Sequence, residues 1–149
     1  MSHQFRSALE WTGSTSSPGY SRDHVIRIAG KPDLAGSADK QFRGNAARHN
    51  PEDLLVASLS SCHCLSYLWL CARAGIAVTH YVDEAEGSLK MEGASGRFER
   101  VVLRPRVRIA AGDADKARAL HEEAHRLCFI ANSVNFPVEC EPKIEPAAN

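Results

Sequence analysis

Asn50-Pro-Glu-Asp-Leu-Leu-Val-Ala-Ser-Leu-Ser-Ser-Cys62 contains the clearest helix start in the chain. Asn50 is a cap by residue type, because its side-chain oxygen can accept from the free N–H groups of a first turn. Pro51 suits the first helical position, and Glu52 and Asp53 set negative charge beside the positive end of the helix dipole. Leu54, Leu55, Val56, Leu59, Leu65, Leu68 and Leu70 then appear on several faces before Gly75, a natural stop. The pattern predicts a helix over 51–74, enclosed by other structure. Ser58, Ser60, Ser61, His63, Ser66 and Arg73 interrupt the apolar run, so it reads as a buried helix and not as a membrane span.

Upstream, 4–11 alternates loosely and 24–29 (His-Val-Ile-Arg-Ile-Ala) is β-rich, which predicts two strands separated by a Ser/Gly/Pro turn. Residues 30–49, with Pro32, Gly36 and Gly44, read as a long irregular loop, and loops of that length are often functional. Downstream, strands are expected over 76–89 and 98–109. In the second, Val101, Leu103, Pro105, Val107 and Ile109 face one side and Arg104, Arg106 and Arg108 the other. Glu84 and Glu86 stand at cross-strand positions suited to those arginines, which favours a solvated sheet face over a nucleic-acid surface. A second helix runs from a cap at Asp113 to about Cys128, and 138–144 supplies a last strand. This order makes an α+β fold dominated by antiparallel pairing.

The 149 residues, 44% of them hydrophobic, suit a single domain spanning 1–149. Eighteen basic residues balance eighteen acidic ones, which argues against a disordered chain and against a dedicated nucleic-acid binder. Zero net charge also favours an oligomer. The first residues, Met-Ser-His-Gln-Phe-Arg, lack a basic segment followed by an apolar run, so no signal peptide is expected. Five cysteines in such a chain point to the reducing cytoplasm and away from a secreted disulfide scaffold.

On an ideal helix Cys64 and Cys71 share a face, while Cys62 points about 160–180° away from both. Cys64 and Cys71 therefore read as core thiols. Cys62, in a small polar patch with Ser58, Ser61 and Ser66, is open to either a structural or a reactive role. Metal binding is a competing use of the same residue types. His121, His125 and Cys128 fall on one helical face at i, i+4 and i+7, whereas Cys62 and Cys64 diverge and no C-x-x-C pair exists. The plain reading of His121 and His125 is surface or core histidines, with no metal and no cofactor.

The 50–62 segment resembles the helix signature of the OsmC/Ohr family of organic hydroperoxide reductases, in which N-P-E-x-L precedes small residues and a peroxidatic cysteine. The similarity extends to Glu86-Gly87, to Arg97-Phe-Glu-Arg-Val-Val-Leu-Arg-Pro-Arg-Val107 and to Ala124-His-Arg-Leu-Cys128, where the family keeps a second cysteine. Tyr20-Ser-Arg-Asp23 resembles the segment that carries the family's catalytic arginine. His63 after Cys62, the extra thiol of Cys64, Phe129 in place of a proline and the long 30–49 loop depart from the pattern.

The resemblance implies antiparallel strands wrapped around the Cys62 helix in an intertwined homodimer. It also implies thiol-dependent reduction of organic hydroperoxides, with Cys62 attacking the peroxide and Cys128 closing a disulfide. An external dithiol, for which the family commonly uses a lipoylated protein, would reopen it. Arg22 would be the activating cation and Glu52 its bidentate partner. Trp69, Phe129 and Phe136 are candidates to receive an alkyl tail. The competing readings are a non-catalytic stress-response or small-molecule-binding protein on the same fold, and a Cys/His metal-binding protein. Helix geometry bears on assembly as well. Glu52 and Cys62 lie ten residues apart, about 15 Å along an axis, so one Arg serving both is easier to arrange if two helices pack antiparallel in a dimer.

Overall fold

The computed structural model describes residues 1–146 and divides into two compact units, 1–54 and the residues from Leu55 onward. In the first unit, β1 (Ala8–Glu10), β2 (His24–Arg27) and β3 (Leu34–Gly36) form an antiparallel meander, with Leu9 opposite Ile26 and Val25 opposite Ala35. The 30–49 segment is therefore more ordered than its composition suggests. Beyond β3, Asp39 caps a 3-10 turn over Lys40–Phe42 by accepting the Gln41 N–H at 2.8 Å. Gly44 closes the turn where a Cβ would lie 1.6 Å from the Ala38 carbonyl oxygen, so no larger residue fits. Backbone bonds between Ser37 and His49 and between His49 and Ala35 fasten the far end of the segment, a pairing that local propensity does not report.

The main helix, α1, covers Pro51–Arg73, as its capping residues require. Asn50 accepts the Asp53 N–H at 2.8 Å and donates to the Asp53 carboxylate at 3.0 Å, which satisfies the first turn reciprocally. At the other end Gly75 adopts φ 71°, and the N–H groups of Ile76 and Gly75 return to the carbonyls of Cys71 and Ala72. This is a Schellman close, for which a left-handed glycine is the easiest choice.

In the second unit α1 buries one stripe, Leu59, His63, Tyr67 and Cys71, at every fourth residue. Tyr67 and Cys71 pack with Val107, Ile109, Ala117, Leu120 and Ala124, while Leu59 packs with Val101 and Leu103. The buried stripe makes α1 a core helix, although its length and apolar composition would also suit a membrane span. Among the described residues part of its surface stays open, which leaves a face for other structure to cover. Leu65 and Trp69 remain 67% and 50% exposed.

The strands expected over 76–89 and 98–109 form one antiparallel ribbon, and each breaks in two at a common bend. The four pieces are β4 (Ala77–Asp83), β5 (Glu86–Glu92), β6 (Ser95–Leu103) and β7 (Pro105–Ala111). The bend has a side-chain cause: Asp83 takes the Arg104 N–H at 2.6 Å, and Pro105 has no N–H to offer a ladder. The last strand breaks likewise at Pro142 into β8 (Val138–Cys140) and β9 (Lys143–Glu145). These two run parallel to β6 and β7, so the antiparallel pattern dominates but is not complete. Between β7 and β8, α2 (Ala114–Leu127) begins at Asp113, whose carboxylate accepts the Lys116 N–H at 2.9 Å.

The arginine stripe is paired as its register suggests. Arg104 meets Glu86 and Glu141, Arg106 meets Glu84, and Arg108 meets Glu145. Such exposed pairs contribute little stability, but they offset the positive charge of the stripe.

Candidate active site

All five cysteines are free thiols. Cys62 is half-buried on α1, next to the stripe residue His63. Cys128 caps the end of α2 and is only 1% exposed, and its Sγ accepts the Ala131 N–H at 3.4 Å. Burial pushes the Cys128 thiol up to about 11; the Ala131 N–H opposes this, and the neighbouring Cys62 sulfur adds to it. The fold thus brings together two cysteines that are sixty-six positions apart, one partly open to solvent and one held protonated in the interior. Cys71 lies in the core and Cys64 is half-buried, and burial raises both thiols.

Arg22 and Glu52 line one pocket of about 380 Å³ in the first unit, walled by Leu9, Trp11, Tyr20 and Phe42. The bidentate pair anticipated between them is not formed. The Arg22 guanidinium donates to the Tyr20 carbonyl at 2.5 Å and lies 4.1 Å from the centre of the Tyr20 ring. Glu52 Oε2 is buried without a hydrogen-bond partner. The cavity thus carries a guanidinium and an unsatisfied carboxylate oxygen among apolar walls. Of the aromatic residues expected near the thiol, Phe136 packs on Phe98 with ring centres 5.5 Å apart, in a cluster that includes Ile130 and Ala131. Phe129 is 80% exposed, and Trp69 carries Arg73 over its ring at 4.6 Å.

The structure also gathers groups that sequence patterning did not combine. His125 is exposed, so the His121, His125 and Cys128 trio does not converge. Instead His63 Nε2 lies 3.0 Å from His121 Nδ1 and 3.8 Å from Cys140 Sγ. Tyr67 stacks on His121 at 3.8 Å between ring centres and donates its hydroxyl to the Ala117 carbonyl at 2.9 Å. Burial lowers His63 to about 4 and His121 to about 3, and it raises Cys140 to about 12. Both imidazoles are therefore neutral and the thiol protonated near pH 7. His63 was legible as a core residue from the four-residue spacing of 59, 63, 67 and 71. Cys140, on a three-residue strand, carried no comparable mark.

A family model described as OsmC-like protein matches residues 44–143. An OsmC-like protein of unknown function from Vibrio cholerae is 30% identical, the match covering 95% of this chain and 99% of that one with a TM-score of 0.86. An organic hydroperoxide resistance protein from Elizabethkingia anophelis shares the fold at 20% identity, with full coverage of both chains and a TM-score of 0.67. An organic hydroperoxide resistance protein OsmC from Legionella pneumophila does so at 16% identity, with 97% and 99% coverage and a TM-score of 0.67. No curated protein matches the sequence. The family model spans the Cys62 helix, the bent ribbon and the Cys128 segment, and the Vibrio relative extends the match over nearly the whole chain. This protein belongs to the OsmC-like family.

Proposed function

We propose that this protein is a thiol peroxidase of the cytoplasm that reduces organic hydroperoxides to alcohols with Cys62 and Cys128 as its redox pair. The observation that carries the reading is the proximity of the two thiols, Cys62 partly accessible and Cys128 buried beside it. The Cys62 thiolate attacks the terminal peroxide oxygen, the O–O bond breaks, and the alcohol leaves after taking up a proton. The sulfenic acid on Cys62 then condenses with the Cys128 thiol, releasing water and forming a disulfide. An external dithiol reduces that bond by exchange and becomes a disulfide itself. Because Cys128 keeps its proton, it does not compete for peroxide, and it stands ready to resolve the sulfenic acid before a second oxidation.

Arg22 is proposed as the cation that favours the thiolate and steadies the developing alkoxide, and Glu52 as the group that orients it. The unsatisfied Glu52 oxygen supports this, because a bound substrate or a small turn of Arg22 would give it a partner. We further propose a two-fold homodimer, with Leu65 and Trp69 of α1 covered by the second copy. In it Cys62 and Cys128 work with Arg22 and Glu52 of the partner subunit.

The test is turnover of cumene hydroperoxide with a dithiol donor by the wild type and by Cys62→Ser. Loss of turnover in the variant is expected. A wild type that consumes no organic hydroperoxide while folded and reduced would remove the proposal. A variant as active as the wild type would do so equally.

A further inference from the structure

We infer that His63, His121 and Cys140 form a buried site for a divalent, thiolate-binding metal ion of the zinc type. It is distinct from the redox pair and uses neither Cys62 nor Cys128. The three donors come from α1, α2 and β8, and one atom from each lies within 4.8 Å of the other two. His63 and His121 are 1% and 3% exposed, so the cluster belongs to the interior.

The spacing fits an ion. With Zn–N of about 2.0–2.1 Å and Zn–S of about 2.3 Å, ligand atoms of a tetrahedral zinc lie about 3.3–3.6 Å apart. The observed separations of 3.0 and 3.8 Å bracket that range, and the third pair, His121 and Cys140, lies within 4.8 Å. The chemistry fits as well. Two imidazole nitrogens and a thiol sulfur are ligand types that zinc takes, and binding would displace the Cys140 proton. His121 Nδ1 and Cys140 Sγ both approach the same His63 nitrogen, Nε2.

Charge selects the class of ion. A divalent ion and one thiolate leave one positive charge, which is costly in an interior. Asp83 stands near enough to act electrostatically on both His63 and Cys140. Its carboxylate accepts from Ser60 Oγ at 2.5 Å and from the Arg104 N–H at 2.6 Å, which fixes its position. An ion held here would tie α1, one residue beyond Cys62, to α2 and β8.

The experiment uses the full chain, reduced and stripped by dialysis against a chelator, then titrated with Zn(II) and separately with Co(II). About one equivalent should bind, with a rise in melting temperature and, for Co(II), a thiolate charge-transfer band. Cys62→Ser/Cys128→Ser should retain the band, and Cys140→Ala should lose it. Because Cys140→Ala can fail to fold, X-ray absorption of the zinc-loaded wild type provides a separate check. A shell with one sulfur and two imidazole nitrogens supports the site. A shell with no sulfur or with two sulfurs overturns it. So does a band that disappears with Cys62 and Cys128, a clear preference for Cu(I), or folded protein that binds no Zn(II).

Discussion

Asp83 accepts the backbone N–H of Arg104 at 2.6 Å across the bend of the long ribbon, and its second oxygen accepts the Ser60 hydroxyl of α1 at 2.5 Å. One carboxylate therefore both bends the sheet and fastens it to the helix that carries Cys62. Charge-assisted hydrogen bonds of this kind are worth about 1.5–3 kcal/mol each. Asp83→Ala should lower stability by about 3 kcal/mol, read as a fall in the urea midpoint. Asp83→Asn can still accept from Arg104 and donate to Ser60, and it should cost less than half as much. Equal losses in the two variants would mean that the carboxylate's charge, which both remove, and not the bonded geometry, is what matters.

Treating the reduced protein with one equivalent of organic hydroperoxide should produce a disulfide between Cys62 and Cys128, identified by peptide mapping. Cys64 and Cys71 are about 10 Å apart along one helix, beyond the reach of a disulfide, so they should remain reduced. In Cys128→Ser the sulfenic acid on Cys62 has no resolving thiol. Steady-state turnover should fall at least about tenfold, and Cys62 should gain the mass of two further oxygen atoms under excess peroxide. A Cys128→Ser protein that turns over normally would show that another thiol resolves the intermediate.

Alkylation should discriminate between the two thiols. Cys128 is buried and its thiol is pushed up to about 11, so iodoacetamide near pH 8 should label Cys62 well before Cys128. The same shift has a consequence for stability. A thiol whose folded pKa lies above the ordinary value of 9.0 favours folding below that value, and this contribution is lost as pH rises from about 9 towards 11. The urea midpoint should fall over that alkaline window and fall less in Cys128→Ala, measured against each protein's own value at pH 8. An identical alkaline decline in both would assign the effect to other groups.

Assembly can be tested by complementation. Cys62→Ser and Arg22→Ala should each be inactive alone. Unfolded together and refolded at equal amounts, half the dimers would be mixed, each with one intact composite site, and activity should recover to about one quarter of wild type. No recovery although mixed dimers form would place the whole site in one chain. Leu65→Glu/Trp69→Glu should shift the sedimentation coefficient to that of a monomer, because two charges would then lie in the interface. A dimer that persists would move the interface away from this face of α1.

The main helix could be read from sequence because what starts and stops it is local: Asn50, Pro51 and Asp53 at one end and Gly75 at the other satisfy groups within a turn of themselves. The Asp113 cap and the alternation of β7 are legible for the same reason. Cys62 stood out through its polar neighbours and through the family signature, and Cys128 through the signature alone. The breaks in the ribbon were only half legible: Pro105 marks one of them by its missing N–H, but the Asp83–Arg104 bond that makes the bend spans twenty-one residues and joins two strands. Nor was the fate of Arg22 and Glu52, whose share in one apolar pocket without an ion pair depends on where Tyr20 places its ring and carbonyl. The convergence of His63, His121 and Cys140 belonged wholly to the tertiary structure. Spacing along one helix can place a side chain on a face, but only packing decides which donors from other elements meet it there.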